Sequence, residues 1–144
     1  MLTGKCVCEA VRFEIDAALG PAIACHCSQC RRSTGAAFNP NASVPTDKYR
    51  ILAGQELVRE FSAKPGAYRA FCSRCGSPLY GRSDAYPQIR RVRLGSLDDT
   101  GGAKPIAHIF TGSKADWYDI RDNAEQFEEW PGPDPIRYFK PADL

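Results

Sequence analysis

The chemistry in this chain is concentrated in seven cysteines, which fall in three short clusters within the first 75 residues: Cys6-x-Cys8, Cys25-x-Cys27-x-x-Cys30 and Cys72-x-x-Cys75. Thiols grouped in this way are ligands for a soft metal ion. Four thiolates close one tetrahedral zinc site, and three are then left over. Three protein ligands and one free position is how a zinc that does chemistry is usually held. The count therefore predicts two zinc ions, one for the fold and one for a substrate. Zinc held by three thiolates is electron-rich and a poor generator of hydroxide. Such a soft site favours another sulfur as its fourth ligand, and a thiol coordinated there loses its proton.

Disulfides are the competing use of cysteine. An odd count leaves one thiol unpaired. Cys6 and Cys8 on a regular strand would lie roughly 6.6 Å apart, at the upper edge of what a disulfide spans. Two sulfurs on one zinc need only roughly 3.8 Å, which a bend in the strand can supply. No hydrophobic signal segment follows Met1-Leu2-Thr3-Gly4-Lys5, which predicts a cytoplasmic chain with reduced thiols.

The elements that must position these thiols are short strands. Val11, Phe13 and Ile15 alternate with Arg12, Glu14 and Asp16, a half-buried strand after the first cluster. Ala22–Ala24 leads into the second cluster, Ala67–Phe71 into the third, and Ser77–Tyr80 out of it. Tyr49–Leu52 and Leu57–Phe61 flank Ala53-Gly54-Gln55-Glu56 and read as a hairpin. Gln88–Leu94 and Ile106–Phe110 complete the set. Ser28 is placed to N-cap one helical turn, Gln29–Ser33, that Gly35 ends. No longer helical period is present, so the fold class is all-β. Pro131, Pro133 and Pro135 keep the last segment irregular, while Phe127, Trp130, Tyr138 and Phe139 predict that it wraps onto the body.

At 144 residues the chain is expected to be a single domain over residues 1–144. No stretch approaches the ~20 apolar residues of a membrane helix. Residues 1–95 carry 14 Lys/Arg against 7 Asp/Glu, and residues 96–144 carry 5 against 10. The basic half could face nucleic acid, an anionic small molecule, or the acidic half of the same chain. Lys5, Arg31, Arg32 and Arg74 also lie beside thiolates whose charge they could offset. The run Arg90-Arg91-x-Arg93 lies on a strand without an aromatic platform for bases, which argues against nucleic acid and for a solvated face.

The motifs together resemble the glutathione-dependent formaldehyde-activating enzyme family, which includes centromere protein V. The resemblance runs through Gly4-Lys5-Cys6-x-Cys8, Cys25-His26-Cys27-Ser28-x-Cys30-Arg31, Gly35-Ala36-Ala37-Phe38 and Phe71-Cys72-x-x-Cys75-Gly76-Ser77. It continues through Gly95-Ser96-Leu97-Asp98-Asp99, His108-Ile109-Phe110, Ser113-Lys114-Ala115 and Trp117-Tyr118. It implies a β-tent fold of stacked antiparallel sheets stapled by zinc. It also implies that Cys6, Cys8, Cys72 and Cys75 form the structural site and Cys25, Cys27 and Cys30 the catalytic one. Spacing alone gives four plus three; the resemblance supplies which four. The implied activity is a carbon–sulfur lyase or synthase reaction, in which glutathione sulfur adds to formaldehyde or leaves the adduct. The alternative is a non-catalytic module that binds glutathione or protein.

Around the second cluster, Arg31 and Arg32 are candidates to hold a glutathione carboxylate as bidentate forks, or to balance thiolate charge, and Ser33 offers a hydroxyl. Strand alternation turns His26 to the face opposite Cys25 and Cys27, where it supports or packs rather than ligates. His108, in the apolar run Ile106–Phe110, is expected to be a hydrogen-bonded core histidine, with a spare fourth ligand as its other use. Trp117 and Tyr118 could roof the pocket or pack in the core.

Overall fold

A computed structural model describes residues 1–141 and 144. It contains two sheets, and the cysteine clusters sit at strand ends. The smaller sheet has three antiparallel strands in the order β1 (Leu2–Lys5), β2 (Arg12–Ile15) and β5 (Tyr49–Ala53). The larger has eight. From one edge they are β11 (Glu125–Gln126), β10 (Pro105–Ile109), β3 (Ala22–Cys25), β4 (Asn39–Pro45), β9 (Ile89–Arg93), β8 (Pro78–Ser83), β7 (Ala67–Cys72) and β6 (Val58–Lys64). All ladders are antiparallel except those β10 makes with β3 and with β11. The sequence predicts an all-β fold, and the chain is mostly β, with one short α-helix.

The sheets stack because each has an apolar face. Phe13 and Ile15 of β2, with Val11 and Tyr49, meet Val44, Ala70, Leu79, Tyr80 and Val92 of the larger sheet in one core. Phe13 and Tyr49 stack at 4.7 Å between ring centroids. At roughly 1.5–3 kcal/mol per fully buried large side chain, this core is the main source of stability. A second core joins Ile23, Ala107 and Ile109 to Tyr138 and Phe139, so the aromatic tail wraps onto the body as its residues predict. Pro135 sits in the first turn of a short 3-10 segment that Asp134 caps, donating no hydrogen bond where none is needed.

The hairpin expected around Gly54 does not form. Gly54 takes a left-handed conformation (φ 77°) and leads into a 3-10 turn over Gln55–Leu57. The chain thereby passes from one sheet to the other, so β5 pairs with β2 and β6 with β7. Strand β4 has no apolar alternation to announce it, since it reads Asn-Pro-Asn-Ala-Ser-Val-Pro, yet it lies in the middle of the larger sheet. The predicted helical turn is α1 (Ser28–Thr34), but its N-cap is Cys27 rather than Ser28. The Cys27 sulfur accepts from the Cys30 N–H, and Gly35 closes the other end in a left-handed conformation. Among the described residues no helix is long and apolar enough to cross a membrane.

Candidate metal centres and the cavity between strands

The seven thiols gather into two groups, Cys6, Cys8, Cys72 and Cys75 in one and Cys25, Cys27 and Cys30 in the other. The sulfurs in each lie within 4.8 Å of one another. None is in a disulfide.

In the first group, Cys6 and Cys8 occupy the turn between β1 and β2, where Glu9 adopts a positive φ of 62° to fold the chain back. Cys72 ends β7, and Cys75 follows in a turn that Gly76 (φ 77°) closes. The two loops hold each other: the Val7 N–H donates to the Ser77 hydroxyl at 3.0 Å. The Val11 N–H donates to the Cys6 sulfur at 3.3 Å, and the Ser77 hydroxyl lies 3.2 Å from the Cys75 sulfur. Against the burial that pushes the Cys75 thiol up, hydrogen bonds from the Ser77 side chain and backbone and from the Cys8 backbone bring it down to about 5. Sulfur–sulfur distances of 3.4 Å (Cys6 to Cys8) and 3.9 Å (Cys8 to Cys72) bracket the roughly 3.8 Å of a tetrahedral zinc–thiolate centre. The donor set and its spacing fit a zinc ion.

In the second group, Cys25 ends β3, Cys27 caps α1, and Cys30 lies one turn into it. Both Cys25 and Cys30 are buried. Asn39 Nδ2 and Arg69 Nη1 donate to the Cys30 sulfur at 3.9 and 3.8 Å. Hydrogen bonds from Cys25 and Cys27, then the Arg69 guanidinium, draw the Cys30 thiol far below its ordinary range. Cys25 is pushed up by its hydrogen bonds to Cys27 and Cys30 and by burial. Three thiols within reach of one ion fit a soft cation here as well.

Both groups can hold a metal, but only the second has all its thiols on the wall of the larger cavity. That cavity has a volume of about 810 Å³. Cross-strand register builds its floor: Cys25 lies opposite Asn39, Asn41 opposite Arg93, and Ser43, Arg91, Gly81 and Arg69 form a row across β4, β9, β8 and β7. Gly81 leaves room for its neighbour, because a Cβ there would stand 3.1 Å from Arg93 Nη2. Phe110, Trp130 and Phe139 supply the aromatic side.

Arg31, Arg32 and Ser33 lie on α1 beside the thiols but are not among the cavity-lining residues. Ser33 Oγ instead donates to the Cys30 carbonyl at 3.1 Å. The arginines on this wall are Arg69, Arg82, Arg91 and Arg93. The run Arg90-Arg91-x-Arg93 is therefore not a solvated face: Arg91 and Arg93, two apart on β9, point into the cavity, and Arg90 packs over Tyr49 and Tyr80. Period-two spacing could have paired Arg91 with Arg93, but only the sheet order brings Arg69 beside them. Trp117 is exposed, and Tyr118 lies near His26 instead of over the thiols.

His26 is fully buried, and it joins a chain through the second histidine. His26 Nε2 is 2.8 Å from His108 Nδ1, and His108 Nε2 is 3.0 Å from both carboxylate oxygens of Asp122. A carboxylate can only accept, so with neutral rings the order of donation is set. His108 Nε2–H donates to Asp122, and His26 Nε2–H donates to His108 Nδ1. Burial first, then His108, lowers His26 to about 4, so it is neutral near pH 7. The hydrogen bond from His108 lowers Asp122. His108 is the hydrogen-bonded core histidine its sequence context predicts, and neither ring belongs to a thiol group.

The model of the glutathione-dependent formaldehyde-activating enzyme family matches residues 1–113. A Halomonas elongata protein named for glutathione-dependent formaldehyde activation is 29% identical over 134 residues, covering 87% of this chain and 84% of that one. A Talaromyces marneffei protein of the same name is 30% identical over 83 residues, covering 55% of this chain and 44% of that one. Among solved structures, a crystal structure of a Rhodobacter sphaeroides protein superposes with a TM-score of 0.59 at 26% identity, covering 72% of this chain and 91% of that one. With its cysteine clusters gathered at strand ends and the family model matching more than half its length, this chain belongs to the glutathione-dependent formaldehyde-activating enzyme family.

Proposed function

We propose that this protein is a zinc-dependent carbon–sulfur lyase or synthase that acts on a glutathione-type thiol adduct, forming or cleaving S-hydroxymethylglutathione or a related thioether. The observation that carries this reading is the position of Cys25, Cys27 and Cys30 on one wall of an 810 Å³ cavity, within the usual size range for small-molecule sites. Zinc bound to these three thiolates would supply a Lewis acid that keeps a substrate sulfur deprotonated and oriented. Cys6, Cys8, Cys72 and Cys75 would hold a second zinc that staples the β1–β2 turn to the end of β7.

The chain's own residues have separable tasks. Cys25 and Cys27 flank His26, whose hydrogen bond to His108 fixes the segment from behind. Asn39 and Arg69 donate to the Cys30 sulfur and stabilise its negative charge. In the synthetic direction the thiol S–H bond breaks, the carbon–sulfur bond forms, and the carbonyl oxygen takes a proton. In the reverse direction the adduct hydroxyl gives up its proton as the carbon–sulfur bond breaks.

The test is the interconversion of glutathione, formaldehyde and their adduct with zinc-loaded protein, measured against the spontaneous reaction. Acceleration in both directions that Cys30→Ser abolishes is expected. Binding of glutathione without acceleration would make the protein a carrier. No binding of any thiol would leave a module whose zinc is structural.

A further inference from the structure

Three guanidiniums face the thiol-lined cavity, and among the described residues none of them meets a carboxylate. Arg93 is 8% exposed, and its side chain makes no hydrogen bond or ion pair among the described residues. Arg91 donates from Nε to Asn41 Oδ1 at 3.0 Å, and its guanidinium carbon lies 4.5 Å from the centre of the Phe139 ring. Its two terminal nitrogens have no partner there. Arg69 donates to the Cys30 sulfur and, at 3.4 Å, to Gln29. Arg82 on the same wall differs, because Glu60 and Asp84 neutralise it at 2.7 and 3.1 Å. The wall thus carries both satisfied and unsatisfied arginines.

The thiols account for only part of this charge. Three thiolates around a divalent ion carry one net negative charge. Against three guanidiniums that leaves two positive charges uncompensated in a partly desolvated space. Burial lowers Arg91 and Arg93, the latter to about 10, and a guanidinium keeps its proton in proteins. A buried cation without an anion is costly, and the same donors meet a carboxylate with good geometry. Phe139 holds the Arg91 plane, and the absence of a side chain at Gly81 gives Arg93 its space.

We propose that Arg91 and Arg93 form a carboxylate subsite in this cavity, with Arg69 linking it to the Cys30 sulfur. They would meet the carboxylate groups of the thiol or thioether whose sulfur lies beside the cysteines. The sulfur half of this statement rests on the reading under Proposed function; the carboxylate half rests on the arginines alone. Arg31 and Arg32, outside the cavity wall, take no part.

The experiment compares S-methylglutathione with its diethyl ester by calorimetric titration into the zinc-loaded full chain. The methylated sulfur has no proton to lose, so this comparison reads the carboxylates separately from thiol chemistry. The free acid should bind at least about tenfold more tightly than the ester, the range expected for charged hydrogen bonds. Arg91→Gln and Arg93→Gln should each shrink that ratio, and Arg32→Gln should keep it. Should Arg93→Gln fail to fold, the wild-type ratio and Arg91→Gln decide. Equal affinity for acid and ester in the wild type, or no binding of either, overturns the subsite. So does a ratio that survives both β9 substitutions or is lost in Arg32→Gln. Failure of the formaldehyde reaction with the acid preference intact would refute the lyase reading alone.

Discussion

Replacing Cys72 by Ser should separate the thiols that hold the fold from those that serve the cavity. Cys72 has no exposed surface, and its sulfur lies 3.9 Å from that of Cys8, across 64 residues of chain. An ion shared by the two segments acts as a cross-link on the unfolded chain. Closing a loop of roughly 65 residues is worth about 4 kcal/mol of unfolded-state entropy. The cluster from Cys25 to Cys30 closes a loop of a few residues, for which the same relation gives about 2 kcal/mol. Near this size, 1 kcal/mol moves the melting temperature by roughly 2–4 °C. Loss of the four-thiol ion should therefore lower Tm by about 8–16 °C, and loss of the three-thiol ion by about half as much. The assay is a thermal melt of zinc-loaded Cys72→Ser and Cys27→Ser followed by circular dichroism, with metal content counted by native mass spectrometry. A Cys27→Ser protein that melts below Cys72→Ser would reverse the roles of the two clusters. A wild type whose Tm ignores a strong chelator would remove metal from the account of stability altogether.

Graded chelation should empty the three-thiol cluster first, because its ion can be reached through the cavity. Native mass spectrometry should then show two steps, and simultaneous loss of both ions would contradict the division. Gly4→Ala should destabilise by about 1–3 kcal/mol in urea, since the new methyl would overlap the Phe13 ring and the backbone carbonyl of Ser96; a neutral result would mean that β1 does not pack there. Glu60 accepts from Arg82 Nε at 2.8 Å and Nη2 at 2.7 Å, and this pair holds its carboxyl below the ordinary value. Its contribution is therefore present above the unfolded carboxyl's pKa of about 4.3 and fades as pH falls through the lower folded value. Glu60→Gln should cost less than about 1 kcal/mol near pH 7 and almost nothing near pH 3; an equal cost at both pH values would count against the ion pair.

The thiol clusters were legible because their logic is local. Two or three thiols within six residues are displayed by one turn or one helix cap, and their spacing survives whatever the rest of the chain does. The strands β2, β3, β7, β9 and β10 were legible for a related reason, since short runs with β-branched, aromatic or alternating residues bounded by Gly, Pro and Asp need little context. Strand β4 was not, because its burial comes from β3 and β9 on either side and its sequence has no apolar face of its own. The hairpin error has the same origin: Tyr49–Ala53 and Val58–Lys64 are both strands, but their partners are β2 and β7, far away in the chain. The cavity arginines were hidden for this reason too. Arg31 and Arg32 are adjacent to the thiols in sequence, whereas Arg69, Arg91 and Arg93 become adjacent only when β7, β8 and β9 line up.

One local rule did reach into the tertiary structure. In the segment Cys25-His26-Cys27, alternation puts two thiols and an imidazole on opposite sides of the chain. On one side the sulfurs face the cavity; on the other His26 enters a wall made with Phe38 and Tyr118 and bonds to His108. His108 comes from β10, which runs parallel to β3 with His108 opposite Ala24 and Ile109 opposite Cys25. The His26 N–H also donates from the backbone to the Ile109 carbonyl at 2.9 Å, continuing that ladder past the end of β3. The segment is therefore held by two kinds of bond to one neighbouring strand, and Asp122 orients the far end of the imidazole pair. Sulfurs fixed on a strand end and a helix cap in this way are positioned before any ligand arrives, whereas a flexible loop would have to order itself on binding. This explains why a chain with few regular helices places a seven-residue helix here. Its first turn supplies Cys30, and its capping thiol is itself one of the three clustered sulfurs.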